Sequence, residues 1–340
     1  MMKGLLDLSD RLIPAGEALA AGLARVEARF SGQIASELSP VARLCAHVDR
    51  YRGKMLRPSL TLLVGMATAP EEGLNDHHVT LAAVCELIHM ATLVHDDVLD
   101  EADVRRAGKT INRLHGNEAA VILGDYLIAS AYHLCSQVPD HRPALAVGRA
   151  SMRVCEGELL QLHHRNDADL DEATYFEIVS RKTGDLAAVA CEMGAWASGA
   201  SPRVCTQMAS FGMQAGIAFQ IQDDLLDLMG DEAVVGKSTG KDLEKGKLTL
   251  PLIHHLARAT PTARASALGV IESVRTGKVD AHAAGATLAR AMQTTGSIEY
   301  ARQKAAQSVA SAKQSLDALD DTPAREMLLR LADGVITRAF

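Results

Sequence analysis

Aromatic side chains are scarce in this sequence, which contains one Trp, five Tyr and five Phe among 340 residues. A core must therefore be built mainly from aliphatic side chains. Proline is also scarce, at ten residues, and because proline interrupts helices its scarcity favours helical structure. No apolar run approaches the roughly 18–20 residues that a spanning helix needs, so we expect no transmembrane segment.

None of the cysteines forms a C-x-x-C pair, which gives no indication of a zinc site or a redox motif. Most of the six lie in apolar helical runs, where a cysteine is usually a small core residue. A reducing, cytoplasmic compartment is the simplest expectation. Near the N-terminus, Asp7 and Asp10 interrupt the apolar stretch that a signal peptide would require.

The formal net charge is −7. This charge argues against nucleic acid as a partner, because proteins that bind nucleic acid neutralise its phosphates with Lys and Arg. A small phosphorylated substrate remains compatible with the charge, because a local group of basic side chains can dominate one cleft.

Apolar residues recur at helical spacing along nearly the whole chain. The helices predicted most clearly are Val79–His95, Glu118–Leu134, Tyr175–Gly199 and Val204–Met229. The third is expected to bend near Gly184. The stretch Gly230–Gly246 is polar and predicted as a loop, and outer amphipathic helices are expected after Ala259. With no convincing linker or repeat, the sequence predicts one all-α domain over residues 1–340, a single large helical bundle.

Two clusters of aspartates share the pattern D-D-x-x-D. Their members are Asp96, Asp97 and Asp100 in the first cluster, and Asp223, Asp224 and Asp227 in the second. On a helix, positions i and i+4 lie on one face about 5–6 Å apart, so each cluster pairs two carboxylates. Both clusters interrupt apolar runs, where uncompensated negative charge is costly. Oxygen ligands without cysteine favour Mg²⁺, which also takes phosphate oxygens and water.

A single D-D-x-x-D pattern is also compatible with a solvated acidic patch on a helix surface. Two such patterns, each in an apolar helical context, are better explained as metal ligands. We expect the two clusters to face one another and to hold several Mg²⁺ ions around one diphosphate.

The segments HDDVLDEADVRR and FQIQDDLLD resemble the two aspartate-rich motifs of the trans-isoprenyl diphosphate synthases. Further blocks occur in the order found in that family: GKMLRP, ELIHMATLVHDD, GNEAAVILGDYL, EGELLQL, RKTGDLAAVA and GKSTGKDLEKGKLTLPLI. These blocks extend from about residue 50 to residue 255, and the chain is similar to medium- and long-chain members. The resemblance implies an all-α bundle of the isoprenoid synthase type around a central active-site cavity.

The resemblance also implies roles for individual residues. Those implied to bind isopentenyl diphosphate are Lys54, Arg57, His89 and Arg106, and those implied to bind the allylic diphosphate are Arg105, Lys182, Lys247 and the nearby Lys237. Thr183 and Gln220 occupy positions that line the path of the developing allylic cation. Asp242 is implied to complete the metal ligands, and Arg338 resembles a basic residue that closes over isopentenyl diphosphate.

The sequence departs from the family pattern at three positions. Arg52 stands where a second glycine often precedes Gly53, and Ala107 and Lys109 replace a glycine and a proline after the paired arginines. We therefore expect another backbone path in the loop after the arginines, which affects its phosphate contacts rather than the reaction class.

The implied activity is a Mg²⁺-dependent condensation of isopentenyl diphosphate with an allylic diphosphate by ionisation, condensation and elimination, carried out by a homodimer. A catalytically silent regulatory subunit of the same fold is one alternative, but both aspartate clusters, Lys182 and Lys247 are present. A terpene cyclase is another alternative, but it would not need the GKMLRP segment or the paired arginines.

The length of the product is expected to depend on residues about one helical turn before Asp96. Ala91 and Thr92 stand there, whereas short-chain members of the family tend to place an aromatic residue at this point. The absence of that block predicts a medium or long product, of the hexaprenyl to decaprenyl class, with geranylgeranyl diphosphate as the alternative. Tyr132 is a candidate for the floor of the cavity, or is simply a core residue.

Overall fold

The structure, a computed structural model, describes residues 10–51, 53–105, 108–229 and 239–337. Within these ranges the chain is helical almost throughout, which confirms the predicted all-α class. Its contacts divide it into two compact units. The first unit comprises the described residues of Met1–Ser151, Leu186–Gly212 and Ser315–Arg330, and the second those of Met152–Asp185, Met213–Gln314 and Leu331–Phe340. The interpretation of the chain as a single domain stays a prediction.

Helices account for most of the residues that the structure describes. In chain order they are α1 (Ile13–Ile34), α2 (Ser39–Tyr51), α3 (Leu56–Thr68), α4 (Asp76–Leu99), α5 (Ile111–His115), α6 (Asn117–Cys135), α7 (Arg142–His163), α8 (Glu172–Val179), α9 (Asp185–Ala197), α10 (Pro202–Met229), α11 (Lys241–Glu244), α12 (Leu250–Arg258), α13 (Pro261–Arg275), α14 (Ala281–Gln293), α15 (Ser297–Ser315) and α16 (Pro323–Ile336). Short 3₁₀ turns occupy Asp10–Leu12 and Leu316–Ala318.

A small hairpin interrupts the helical pattern after α4. Its strands, β1 (Val104–Arg105) and β2 (Gly108–Lys109), pair antiparallel with Val104 opposite Lys109. The sequence had indicated no β-structure here. The hairpin is too short to change the fold class, but it determines where Arg105 lies.

The four clearest helix predictions agree with the structure. Three of them fall inside α4, α6 and α10. The fourth is divided into α8, a π-helical turn at Ser180–Gly184 and α9, so the expected irregularity near Gly184 is present. Of the predicted loop after α10, residues 239–246 are described and include the short helix α11, while residues 230–238 lie outside the described residues.

Helix α4 begins with a hydrogen-bonded cap. The side chain of Asn75 accepts from the backbone N–H of His78, and the His78 ring reaches back to the backbone N–H of Asn75. On its other side the ring lies 2.9 Å from the Ser198 hydroxyl, which itself donates to the Gly65 carbonyl. Because that hydroxyl hydrogen is used, Nε2 of His78 must be the donor and Nδ1 the acceptor.

Most of α4 is buried in the first unit, where it packs against α1, α3 and α6. By length and composition it is also the one described helix apolar enough to cross a membrane, but 78% of its most apolar window is buried. Such extensive burial is typical of a helix in a protein core. Helices α4 and α6 approach closely at Gly124, where an added Cβ would lie 2.1 Å from His95 Nε2. A larger residue at this position would therefore clash with His95.

The second unit has its own aliphatic core. It is formed by apolar residues of α8, α10 and α12, joined by residues from α13, α14 and α15. Ile221 and Leu225 are fully buried there, next to the second aspartate cluster in the sequence. The polar side chains of that cluster therefore project from a helix whose other faces are held by packing.

We predict that His78 makes the folding stability depend on pH. Burial lowers the pKa of His78 from 6.5 to about 4, so the unfolded chain binds a proton more readily than the folded one. This contribution is complete above pH 6.5 and is lost as the pH falls towards 4, by about 2 kcal/mol at pH 5. In urea titrations, the stability advantage of the wild type over His78→Gln should shrink by that amount between pH 7.5 and 5. An advantage that stays constant over this range would contradict the prediction.

Candidate active site

The first aspartate cluster lies at the C-terminal end of α4 in the first unit. Asp97 is buried, with 1% of its surface exposed, while Asp96 and Asp100 are half-buried. The helix ends at Leu99, and the backbone N–H of Asp100 still donates to the Asp96 carbonyl. Asp96 and Asp100 are thus one turn apart, as the spacing predicted.

Asp97 is held by the hairpin that follows the helix. Its Oδ1 accepts a 2.8 Å hydrogen bond from Nε of Arg105. Burial raises the pKa of Asp97, and the Arg105 guanidinium opposes that shift. The sequence had assigned Arg105 to a substrate diphosphate, whereas the structure pairs it with a carboxylate of the first cluster.

Two residues for which the sequence had indicated no role form hydrogen bonds to the turn between α4 and β1. Nδ2 of Asn112 donates to the carbonyls of Asp97 and Ala102, at 3.1 and 3.2 Å. The buried hydroxyl of Thr110 donates to the same Ala102 carbonyl at 2.6 Å, and its oxygen caps α5 by accepting from the N–H of Arg113. A threonine immediately before a short helical segment is a recognisable N-cap signal, but the bonds to the cluster depend on the hairpin.

The basic residues predicted to bind isopentenyl diphosphate lie in the same unit. Lys54 is exposed just before α3, Arg57 is half-buried in its first turn, and His89 is half-buried on α4. Since His89 precedes Asp96 by two turns, both lie on one face of α4. Met55, between Lys54 and Arg57 at the start of α3, adopts φ of +50°, an uncommon conformation for a residue with a side chain.

Three of the predicted binding residues cannot be placed. Arg106, Lys237 and Arg338 lie outside the described residues, as do two of the departures from the family pattern, Arg52 and Ala107.

The second cluster lies near the C-terminal end of α10 in the second unit. Asp224 and Asp227 are buried, and Asp223 is half-buried. Asp227 accepts at Oδ1 from the N–H of Lys241 and at Oδ2 from the N–H of Asp242. It thus caps α11, and both its oxygens accept from backbone N–H groups.

Asp224 is also held at both oxygens. Tyr175 donates to its Oδ2 at 2.6 Å, and Nε2 of Gln220 donates to its Oδ1 at 2.8 Å. The Gln220 Oε1 in turn accepts from the hydroxyl of Thr183 at 2.9 Å. The structure therefore joins Thr183 and Gln220, which the resemblance assigned together to the path of the allylic cation, to Asp224 of the second aspartate cluster. It adds Tyr175, for which the sequence had indicated no role.

Two lysines of this unit lie near acidic groups. Nζ of Lys182, in the π-helical turn, is 2.5 Å from Glu158 and donates to Gln161 at 2.6 Å. Lys247 is half-buried and its N–H donates to the Asp242 carbonyl. Burial raises the pKa of Asp242, and the charge of Lys247 opposes that rise. The sequence had not identified Glu158 as a partner of Lys182.

The donor groups fit a hard divalent cation. Oδ2 of Asp97 is buried and accepts no hydrogen bond from any residue that the structure describes. Burial, reinforced by neighbouring carboxylates, raises the pKa of both Asp224 and Asp242, and a cation would relieve that repulsion. In the described ranges no three acidic, histidine or cysteine side chains converge on one point. An ion would therefore take further ligands from water or substrate oxygens, as Mg²⁺ commonly does.

Comparison with known proteins gives consistent matches over nearly the whole chain. The family model for polyprenyl synthetase matches residues 39–286. The octaprenyl diphosphate synthase of Escherichia coli strain K12 is 35% identical over 322 residues, which cover 95% of this chain and 97% of that protein.

Solved structures agree with that match. A decaprenyl diphosphate synthase from Rhodobacter capsulatus superimposes with a TM-score of 0.87 at 35% identity, covering 95% of this chain and 98% of that one. A polyprenyl synthase from Caulobacter crescentus CB15, complexed with calcium and isoprenyl diphosphate, gives a TM-score of 0.86 at 33% identity, covering 97% and 98%.

Proposed function

Since this chain belongs to the polyprenyl synthetase family and shares its all-α fold, we infer that it is a prenyltransferase that makes a medium- or long-chain all-trans polyprenyl diphosphate. Isopentenyl diphosphate and an allylic diphosphate are its proposed substrates. The observation that carries this proposal is the pair of D-D-x-x-D clusters, each at the C-terminal end of a long helix. Neither cluster has a basic residue in the last turn of its own helix. The negative charge is therefore not neutralised within the helix, and a bound cation would compensate it.

Mg²⁺ is the proposed cofactor. Asp96, Asp100 and Asp223 are its proposed direct ligands, because they are the half-buried members of the two clusters. The other proposed metal-site residues are Asp97, Asp224, Asp227 and Asp242. When bound, the ion would neutralise charge on the diphosphate that leaves. The calcium-bound structure of a family member supports a divalent cation of this kind.

The basic residues of the two units are proposed to bind the diphosphates. Lys54, Arg57, His89 and Arg106 are assigned to isopentenyl diphosphate, and Arg105, Lys182, Lys237 and Lys247 to the allylic diphosphate. Arg105 and Lys182 now contact carboxylates. Phosphate oxygens are acceptors of the same kind, so a diphosphate can replace or share those contacts without leaving either cation unpaired.

The proposed reaction begins when the carbon–oxygen bond of the allylic diphosphate breaks, and both electrons leave with the diphosphate. The double bond of isopentenyl diphosphate then attacks the allylic cation, and the proton lost in the last step passes to the departing diphosphate. Lys182 and Lys247 stabilise the negative charge that develops. Thr183 and Gln220 offer neutral oxygens, which stabilise the cation without capturing it.

A homodimer is proposed as the working state. The support is the outward face of α6, where Val121, Ile122 and Tyr132 are 41%, 67% and 39% exposed. The same helix buries Leu123 and Leu127 in its own unit, so the apolar run Ala119–Ala131 has one face in the core and another available to a second copy.

A cytoplasmic location is also proposed. All six cysteines are free, and five of them are buried. Free thiols in this number are typical of proteins from a reducing compartment.

We predict that turnover depends on Mg²⁺ and on both clusters. Asp96→Ala and Asp223→Ala should each reduce turnover roughly 10²–10³-fold or more, and EDTA should abolish it in the wild type. Asp320→Ala, which removes an exposed aspartate far from either cluster in the sequence, is the matched control. Radiolabelled isopentenyl diphosphate with allylic primers measures turnover, and binding of Mn²⁺ measured by electron paramagnetic resonance reports metal affinity separately. Near-normal turnover in either cluster variant would refute the assignment.

We predict that light scattering gives twice the mass of one 36.2 kDa chain. Ile122→Glu should shift the protein towards the single-chain mass, because it places a charge in the proposed apolar interface. Leu38→Glu changes a leucine that is equally exposed, at 67%, but lies outside α6, and it should leave the mass unchanged. A wild type that is monomeric at micromolar concentration rules out the dimer.

We predict that Thr92 controls product length more strongly than Ala91. Thr92 is half-buried and lies one turn before Asp96 on its face of α4, whereas Ala91 is fully buried about 140° away. Thr92→Phe should shorten the product by blocking the tail, and Ala91→Phe should shorten it less, because Ala91 lies on another face of the helix. Product lengths are resolved by chromatography after incubation with excess isopentenyl diphosphate. A wild type that stops at farnesyl diphosphate would show that the product class is wrong.

A further inference from the structure

A continuous chain of hydrogen bonds crosses the second unit. The hydroxyl of Tyr175 in α8 donates to Oδ2 of Asp224, and Nε2 of Gln220 donates to Oδ1 of the same carboxylate, at 2.6 and 2.8 Å. Thr183, in the π-helical turn, donates to Oε1 of Gln220 at 2.9 Å. Four side chains from three segments are thus joined end to end.

The donors and acceptors in this chain of hydrogen bonds are arranged in one direction. Because Nε2 of Gln220 donates to Asp224, the amide turns its NH₂ group towards that carboxyl group and its oxygen towards Thr183. The Thr183 hydroxyl then gives its single hydrogen to Gln220. Its remaining lone pairs are left for whatever lies beside it, and it cannot donate to a substrate at the same time.

Tyr175 is the rigid outer end of the chain. It is 4% exposed, and its ring packs edge-on against Phe176 with 5.5 Å between ring centroids. Asp224 is 5% exposed, so water has little access to the bond between them. A hydrogen bond shielded from water in this way is stronger than an exposed one.

The backbone around Thr183 is equally constrained. A Cβ added to Gly216 in α10 would lie 3.0 Å from the Cα of Gly184, next to Thr183. Gly216 precedes Gln220 by one turn, on the same helix face. The close approach of α10 to the π-helical turn therefore sets the distance across which Gln220 and Thr183 meet, and π-helical turns of this kind are frequent at functional sites.

We propose that Tyr175 is a positioning residue for prenyl transfer: acting through Asp224, it fixes the Gln220 amide so that the Thr183 hydroxyl presents lone pairs, not a proton, to the developing allylic cation. The inference rests on the proposed function. Its consequence is that loss of the Tyr175 hydroxyl impairs the chemical step, although Tyr175 contacts no substrate.

Tyr175→Phe removes the hydroxyl and keeps the ring. We expect kcat to fall roughly tenfold or more, while the KM values for both diphosphates stay within about twofold, because orientation in the transition state changes and diphosphate binding does not. Tyr300→Phe is a matched control in the same unit: Tyr300 also donates to a carboxylate, that of Glu172, at 2.8 Å, and its loss should leave kcat unchanged. A Tyr175→Phe enzyme with wild-type kcat, or with raised KM and unchanged kcat, would overturn the proposal.

A double-mutant cycle separates positioning from general loosening of the fold. Thr183→Val removes the hydroxyl at the inner end, and Thr183→Ser, which keeps it, should retain most of kcat. If Tyr175 acts through the chain, adding Tyr175→Phe to Thr183→Val should cause little further loss. If the fold-losses in kcat of the two single variants multiply in the double variant, the two residues act independently. The chain of hydrogen bonds then transmits no effect from Tyr175 to Thr183.

The outcomes also distinguish this inference from the proposed function. A wild type that forms no prenyl product refutes the function, whereas an active wild type with an additive cycle refutes only the role of Tyr175. If Tyr175→Phe does not give folded protein by circular dichroism, the same cycle is run with Gln220→Met in its place. The chain of hydrogen bonds predicts the same non-additivity from this internal position, and multiplied losses there would overturn it equally.

Discussion

Negative charge gathered at the C-terminal ends of helices is the constraint on which this site depends. The backbone dipoles of a helix place partial negative charge at that end, so carboxylates are least favourable there. Helix α4 carries its three aspartates in and just after its last turn, and α10 carries three in its last two turns, with no basic residue in the last turn of either. Like charges one turn apart add to the cost. Each unit therefore needs hydrogen bonds or ion pairs that stabilise its cluster of carboxylates.

These stabilising interactions differ between the two units. In the first, the Arg105 guanidinium neutralises Asp97, and Asn112 bonds both ends of the turn that follows the helix. In the second, Asp227 is stabilised by two backbone N–H groups at the start of α11, and Asp224 by a phenol and an amide. The two units thus leave Asp96, Asp100 and Asp223 half-buried, and these are the carboxylates whose charge is best placed for an ion from solvent.

The sequence was sufficient for the fold class and for the positions of both clusters, because each depends on local pattern. A run as apolar as Val79–His95 has few alternatives to a buried helix, and D-D-x-x-D spacing places carboxylates on one face wherever the helix lies. The partners of those carboxylates were not predictable in the same way. Tyr175 stands 49 residues from Asp224 in the sequence, inside an apolar helix where nothing local marks it as polar in function. Arg105 reaches Asp97 from a hairpin with two-residue strands, where the sequence had indicated no β-structure.

The glycines show why side-chain pattern alone could not have found the inner geometry of the second unit. Gly184 and Gly216 carry no chemistry, yet a Cβ on Gly184 would lie 2.3 Å from the sulfur of Met213, and one on Gly216 would press on Gly184 itself. Two backbones in such contact have little freedom to slide, because packed interiors resist small displacements. Hydroxyl and amide groups on either side of that contact can then keep one hydrogen-bond direction through many turnovers. In the proposed reaction, groups that must present a lone pair and withhold a proton need this rigidity more than any particular acidity, since a rotated Thr183 hydroxyl would oppose the positive charge that it is proposed to stabilise.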